Sequence, residues 1–134
     1  MPDTIGIEAI HHLAITVTDV GRAREFYTSL FGFEVAGEFG TRVVLIKGNA
    51  LLAVGPAPDR SRATANDSFD ENRVGLDHVS FTVSNREELE KAARILDEKR
   101  VPHGEIVDLA PFQIYVLMLR DPDNIQVELT APYG

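Results

Sequence analysis

One strand-like motif occurs twice in this chain, and that repeat constrains the fold more than any other feature. His12-Leu-Ala-Ile-Thr-Val-Thr-Asp19 and His78-Val-Ser-Phe-Thr-Val-Ser-Asn85 follow one pattern, 66 residues apart. Each opens on histidine, alternates apolar and polar side chains, and closes on a polar pair. A period of two is the signature of a strand buried on one face. Leu13, Ile15 and Val17 form the apolar face of the first copy; Val79, Phe81 and Val83 form that of the second. The opposite faces then carry His12, Ala14, Thr16 and His78, Ser80, Thr82.

Each repeat continues alike. A helix beginning near Val20 presents Ala23, Phe26, Tyr27, Leu30 and Phe31, with Thr18 or Asp19 placed to cap it and Gly32 to end it. A second helix beginning near Arg86 presents Leu89, Ala92, Ala93 and Leu96. Ser84-Asn-Arg-Glu87 before it has the spacing of a capping box, and Pro102 and Gly104 close the segment. Strand-like runs follow at 41–47 and 50–54, turning at Gly48-Asn49, and at 112–119 and 125–130, turning at Asp121-Pro-Asp-Asn124. A weaker strand precedes each hairpin, near 33–39 and 101–107. The expected fold is therefore α+β: two β-α-β-β-β modules, about 8–55 and 75–131, forming one mostly antiparallel, eight-stranded sheet in a single domain. The polar, aperiodic stretch 56–74 reads as a surface linker.

Composition narrows the function. Thirteen Lys and Arg against 21 Asp and Glu leave a net charge of −8, which opposes nucleic acid and anionic membranes as partners. The absence of cysteine removes disulfides, thiolate metal sites and thiol nucleophiles. The opening MPDTIGIEAIHH lacks the basic and apolar regions of a secretory leader, and no apolar run nears the ~18 residues of a membrane span. A cytoplasmic location is the expectation.

Three side chains are candidate metal ligands: His12, His78 and Glu128. Glu128 stands with Gln126 and Thr130 opposite the apolar Ile125, Val127 and Leu129, and a half-buried carboxylate needs a partner. Two imidazoles and a carboxylate around a divalent cation would supply one and leave coordination positions open to water, oxygen or substrate. The competing reading is three solvated residues on strand faces. Alternation sets His11 opposite His12, and His103, in a Pro-His-Gly turn, reads as solvent-exposed.

The segments 10–20, Ala23-Arg-Glu-Phe-Tyr27, Leu30-Phe-Gly-Phe33, 75–83 and 119–129 resemble the vicinal oxygen chelate superfamily. Its members include glyoxalase I, bleomycin-resistance proteins, fosfomycin-resistance transferases, methylmalonyl-CoA epimerases and extradiol dioxygenases. The resemblance spans about residues 8 to 131. It implies paired modules cupped around a divalent Fe, Mn, Ni or Zn, with helices outside, and often a homodimer. By this resemblance His12, His78 and Glu128 fall on the first, third and fourth ligand positions, and Glu128 would also be catalytic. The second position, a Glu or Gln in glyoxalases and epimerases, falls on Ala53, which cannot ligate. Two-carboxylate proton shuttling thus loses ground, and residues 105–112 lack the Gly/Ser-rich loop of fosfomycin transferases. Extradiol dioxygenases have longer chains with more His and Tyr around the iron.

Two functions follow from the resemblance. One is a metal-dependent lyase or dioxygenase acting on a small substrate chelated through two vicinal oxygens. The other is a bleomycin-resistance-like protein that sequesters a small molecule without catalysis, the net charge favouring a cationic one. Arg42, Lys47, Phe112, Gln113 and Tyr115 are candidates for contact with either ligand; Tyr115 could serve as an acid or base, though a place in the core or pocket wall is the simpler expectation for it.

Overall fold

A computed structural model of the protein describes residues 3–134; residues 1 and 2, part of the opening segment read above for a leader, lie outside them. The chain divides into two compact units, the first ending at Arg62 and the second running from Ala63.

In the first unit β1 (Leu13–Thr16) leads into α1 (Val20–Phe31), followed by β2 (Glu34–Phe39), β3 (Arg42–Lys47) and β4 (Ala50–Gly55). The sheet order is β1-β4-β3-β2. Only β1 and β4 pair in parallel, because α1 and two strands intervene between them; the hairpin-linked pairs are antiparallel. Of the two expected caps, Asp19 is the one used, its carboxylate accepting from the Arg22 amide at 3.0 Å. Gly32 ends the helix at φ 74°, a conformation that glycine adopts without Cβ strain. The core lies between α1 and the sheet face bearing Ile15, Val43, Leu45, Leu52 and Val54, with Ala23 and Tyr27 buried from the helix side.

The second unit repeats the plan with β5 (Val79–Thr82), α2 (Arg86–Glu98), β6 (Val107–Leu109), β7 (Ile114–Arg120) and β8 (Gln126–Pro132), in the order β5-β8-β7-β6. Leu89 and Leu96 of α2 are buried, together with Leu117, Leu119, Val127 and Leu129 of the sheet. Each such leucine contributes roughly 1.5–3 kcal/mol through removal from water.

Several expectations are corrected. The eight strands form two four-stranded sheets, one per unit. The cap of α2 is Asn85, not Ser84: its side chain accepts from the Glu88 amide at 3.0 Å, one residue later than the capping-box spacing suggested. The strand expected near 101–107 shrinks to β6, preceded by an isolated bridge between His103 and Leu119. Pro102 has no amide to donate, so a regular ladder cannot run through it. Phe112 lies in a 3₁₀ turn (Ala110–Phe112), and Gln113 takes φ 55° before β7 begins. The linker lies at the surface, as expected, but is not free along its length. Its second half is tied to the β7–β8 turn, where the Phe69 amide donates to the Asp123 carbonyl at 2.9 Å and the Asn124 side-chain amide to the Phe69 carbonyl at 3.0 Å.

That turn forms as its sequence dictates. The Asp121 carboxylate is buried and accepts from the amides of Asp123 (2.8 Å) and Ile125 (2.9 Å), while Asn124 takes the positive φ, at 66°.

Candidate functional site

Strand register assigns each polar side chain to a face. In the second unit Ser80 pairs with Glu128 and Glu128 with Met118, so these stand on the face opposite the leucine core. Gln126, Glu128 and Thr130 line that face along β8, each half-buried between buried neighbours. His78 precedes β5 by one residue and joins the same stripe. Its Nε2 lies 3.7 Å from Glu128 Oε1, and its Nδ1 lies 2.7 Å from Asp77 Oδ1.

These distances fix the chemistry of the ring. A carboxylate is an acceptor only, so Asp77 engages the Nδ1–H of His78. In the neutral ring the second nitrogen then faces Glu128 as a lone pair. A separation of 3.7 Å exceeds hydrogen-bond length. In that neutral form two acceptors face one another across the gap, and no hydrogen bond joins them. Glu128 is oriented from the other side: Thr130 donates its hydroxyl to Oε1 at 3.0 Å, and Ser80 bonds Thr130 in turn. The Glu128 side chain is 14% exposed, against 35% for His78.

Further from the pair, the Gln126 amide donates to both the carbonyl and the carboxylate of Asp77 at 3.1 Å. Arg120 donates to Gln126 at 3.3 Å and holds Glu71 through two parallel bonds of 2.9 Å. This two-pronged pairing holds the Glu71 carboxyl well below its ordinary range, at about 2.

In the first unit the register places Ala53 beside Ala14 and Val44. Ala14 is the repeat counterpart of Ser80, so Ala53 occupies in its sheet the position that Glu128 occupies in the other. The first sheet has no carboxylate there. Gly55, two residues on, lies under Arg42: a Cβ on it would come 2.8 Å from Arg42 Cγ. His12 is exposed, with its Nδ1 2.9 Å from that of His11 and the two rings edge to face. Both histidines precede β1, so strand alternation does not separate them as expected.

The remaining candidates have other surroundings. Tyr115 pairs with Ala131 on the core side of β7, away from Glu128, and its ring carries the Arg86 guanidinium at 4.8 Å and packs on Tyr133. Tyr133 donates its hydroxyl to Asp108, which pushes the phenol up to about 12. Phe112 is 74% exposed. Lys47 donates to the Phe31 carbonyl at the C-terminus of α1, a favourable place for a cation. His103 is not solvated: its Nε2 is 2.6 Å from Asp97 and its Nδ1 2.6 Å from the Gly104 carbonyl, with the side chain 17% exposed. Two acceptors on one ring favour the doubly protonated form and raise its pKa.

The structure thus brings His78 and Glu128 together and keeps Tyr115 apart from them. Sequence reading placed Ser80 on this face but missed Asp77, Arg120 and Glu71 as parts of the stripe. An aspartate beside a histidine is a weak signal, and Glu71 lies 49 residues from its partner. Among the described residues, no three His, Cys, Asp or Glu side chains gather closely enough to hold a metal ion by themselves. No helix among them is long and apolar enough to cross a membrane.

Comparison with known proteins adds to this geometry. The family model described as Glyoxalase/Bleomycin resistance protein/Dioxygenase superfamily matches residues 9–129. Protein YwkD of Bacillus subtilis is 27% identical over 132 residues, covering 92% of this chain and 96% of that protein. A lactoylglutathione lyase from Agrobacterium tumefaciens superposes with a TM-score of 0.73 at 26% identity, covering 93% of this chain and 94% of its own. A mutant of the fosfomycin resistance protein FosX from Listeria monocytogenes, solved with Mn(II) and a dihydroxypropylphosphonic acid, shares the fold. Its TM-score is 0.73 at 16% identity, over 95% of this chain and 92% of that one.

Proposed function

This chain belongs to the glyoxalase/bleomycin resistance protein/dioxygenase superfamily, and we propose that it is a metal-dependent enzyme acting on a small substrate that chelates a divalent cation through two neighbouring oxygens. The observation that carries this reading is the approach of His78 Nε2 to Glu128 Oε1, at 3.7 Å without a hydrogen bond between them. A nitrogen and a carboxylate oxygen so placed fit adjacent positions on Fe(II), Mn(II), Ni(II) or Zn(II). A protein of the same fold holds Mn(II) with a dihydroxypropylphosphonic acid, the kind of ligand this reading requires.

A bound cation supplies Lewis acidity that polarises a coordinated oxygen. The chain's own residues do the rest. Thr130 orients Glu128 through one lone pair of Oε1, and Oε2 is left to accept a proton from substrate. Because Ala53 stands where a second carboxylate would, proton exchange between two carboxylates is not the chemistry this site favours, which argues against lactoylglutathione lyase activity.

Ala53 also favours a second reading, a protein that sequesters a small molecule without catalysis. Metal analysis of protein purified without chelator, then loaded with each of the four cations, separates the two. About one cation per chain is expected, with Glu128→Gln and His78→Ala weakening it at least ~10–100-fold and His103→Asn leaving it unchanged. If no cation binds, or Glu128→Gln binds like the parent, the chelate reading fails and sequestration replaces it.

We also propose a homodimer, the commonest symmetric assembly. The edge strands β2 and β6 leave Phe39 68% and Val107 48% exposed, which favours edge association. Light scattering should give twice the 14.8 kDa chain mass; a monomer at micromolar concentration would refute it.

A further inference from the structure

We propose that Asp77 is a positioning residue for His78, holding the ring in its Nδ1–H tautomer so that Nε2 faces Glu128 unprotonated, and that Gln126, Arg120 and Glu71 hold Asp77 in place. This deepens the metal reading above and rests on it only for its consequence, not for the tautomer itself.

The polarity of the chain of bonds is consistent from end to end. Glu71 accepts twice from the Arg120 guanidinium, which fixes the plane of that group. Arg120 donates on to the Gln126 carbonyl oxygen. That bond decides which way the Gln126 amide points, so its NH2 faces Asp77 and donates to backbone and side chain together. Asp77 Oδ1, thus placed, accepts from His78 Nδ1 at 2.7 Å. No link can be reversed: a guanidinium has no acceptor and a carboxylate no donor. The Asp77 side chain is 70% exposed, so without Gln126 it would sample many rotamers. Glu71 belongs to the segment between the repeats, and its tie to Arg120 makes that segment part of the support for His78. Buttressing of a ligating imidazole through its second nitrogen is commonly worth ~10–100-fold in metal affinity.

The test reads the ring directly in the full-length, metal-free protein. Nitrogen-15 NMR of the histidine side chains distinguishes the two neutral tautomers. The parent should show His78 protonated at Nδ1, and Asp77→Ala should move it toward Nε2–H. Gln126→Met, which leaves Asp77 itself intact, should give a smaller shift in the same direction. The His103 ring, held by Asp97 and Gly104, serves as an internal monitor of folding and should not move. If Asp77→Ala perturbs His103, Gln126→Met carries the test. A parent His78 at Nε2–H, or a tautomer unchanged by the variant that leaves His103 in place, overturns the proposal. Mn(II) titration of the same samples should show affinity falling ~10–100-fold in Asp77→Ala. A tautomer that shifts while the parent binds none of Mn(II), Fe(II), Ni(II) and Zn(II) supports the positioning role and sinks the metal reading instead.

Discussion

Alanine at position 53 and glycine at 55 make the first sheet's open face shallow where the second sheet carries Glu128 and Thr130. The Gly55 position has a measurable consequence. Its φ lies outside the left-handed region, so Gly55→Ala would ordinarily stabilise by ~0.4–1 kcal/mol through the unfolded chain. Here the new Cβ meets Arg42 Cγ at 2.8 Å, near the stem of that side chain rather than at its mobile end. Overpacking of this kind costs about 1–3 kcal/mol, which outweighs the entropic gain. Urea unfolding should show Gly55→Ala destabilised, and the same change made in an Arg42→Ala background should be neutral or stabilising. If the two backgrounds respond alike, Arg42 does not rest on Gly55.

Among the elements, α2 and the loop after it show how a side chain read as solvated becomes structural. The Asp97 carboxylate leaves the last turn of α2 to meet His103, and the Gly104 carbonyl takes the ring's other nitrogen. Folding raises the His103 pKa, so the native state binds the proton more tightly than the unfolded chain. The stabilisation is complete below the ordinary histidine value of about 6.5 and is lost as pH rises through the higher folded value. His103→Asn should flatten the pH dependence of the urea midpoint above ~6.5, with no effect on metal binding. A parent whose stability is level or rises across that interval would contradict this assignment. The same element shows a limit of pattern reading: Ser84 and Asn85 both suit a cap, and only the path of the backbone from β5 selected Asn85.

Across the whole molecule, the legible part was whatever local periodicity and turn chemistry carry. The repeat at His12 and His78, the two helices, the alternating strands and the Asp121 turn follow from side-chain spacing, because a strand's period of two and a helix's of 3.6 are properties of the backbone alone. The same alternation put Glu128 with Gln126 and Thr130. Where a segment lacked periodicity or carried Pro102, Gly104 or a positive φ at Gln113, the boundaries moved. Cross-strand register was decided only on folding, and with it the placing of Tyr115 on the helix side and of Ala53 beside Ala14, the repeat counterpart of Ser80. So were the Glu71–Arg120 pair, the amide bridge from Gln126 to Asp77 and the approach of His78 to Glu128. These join residues about fifty positions apart, and no local preference encodes a contact whose partners meet only once the sheet has closed.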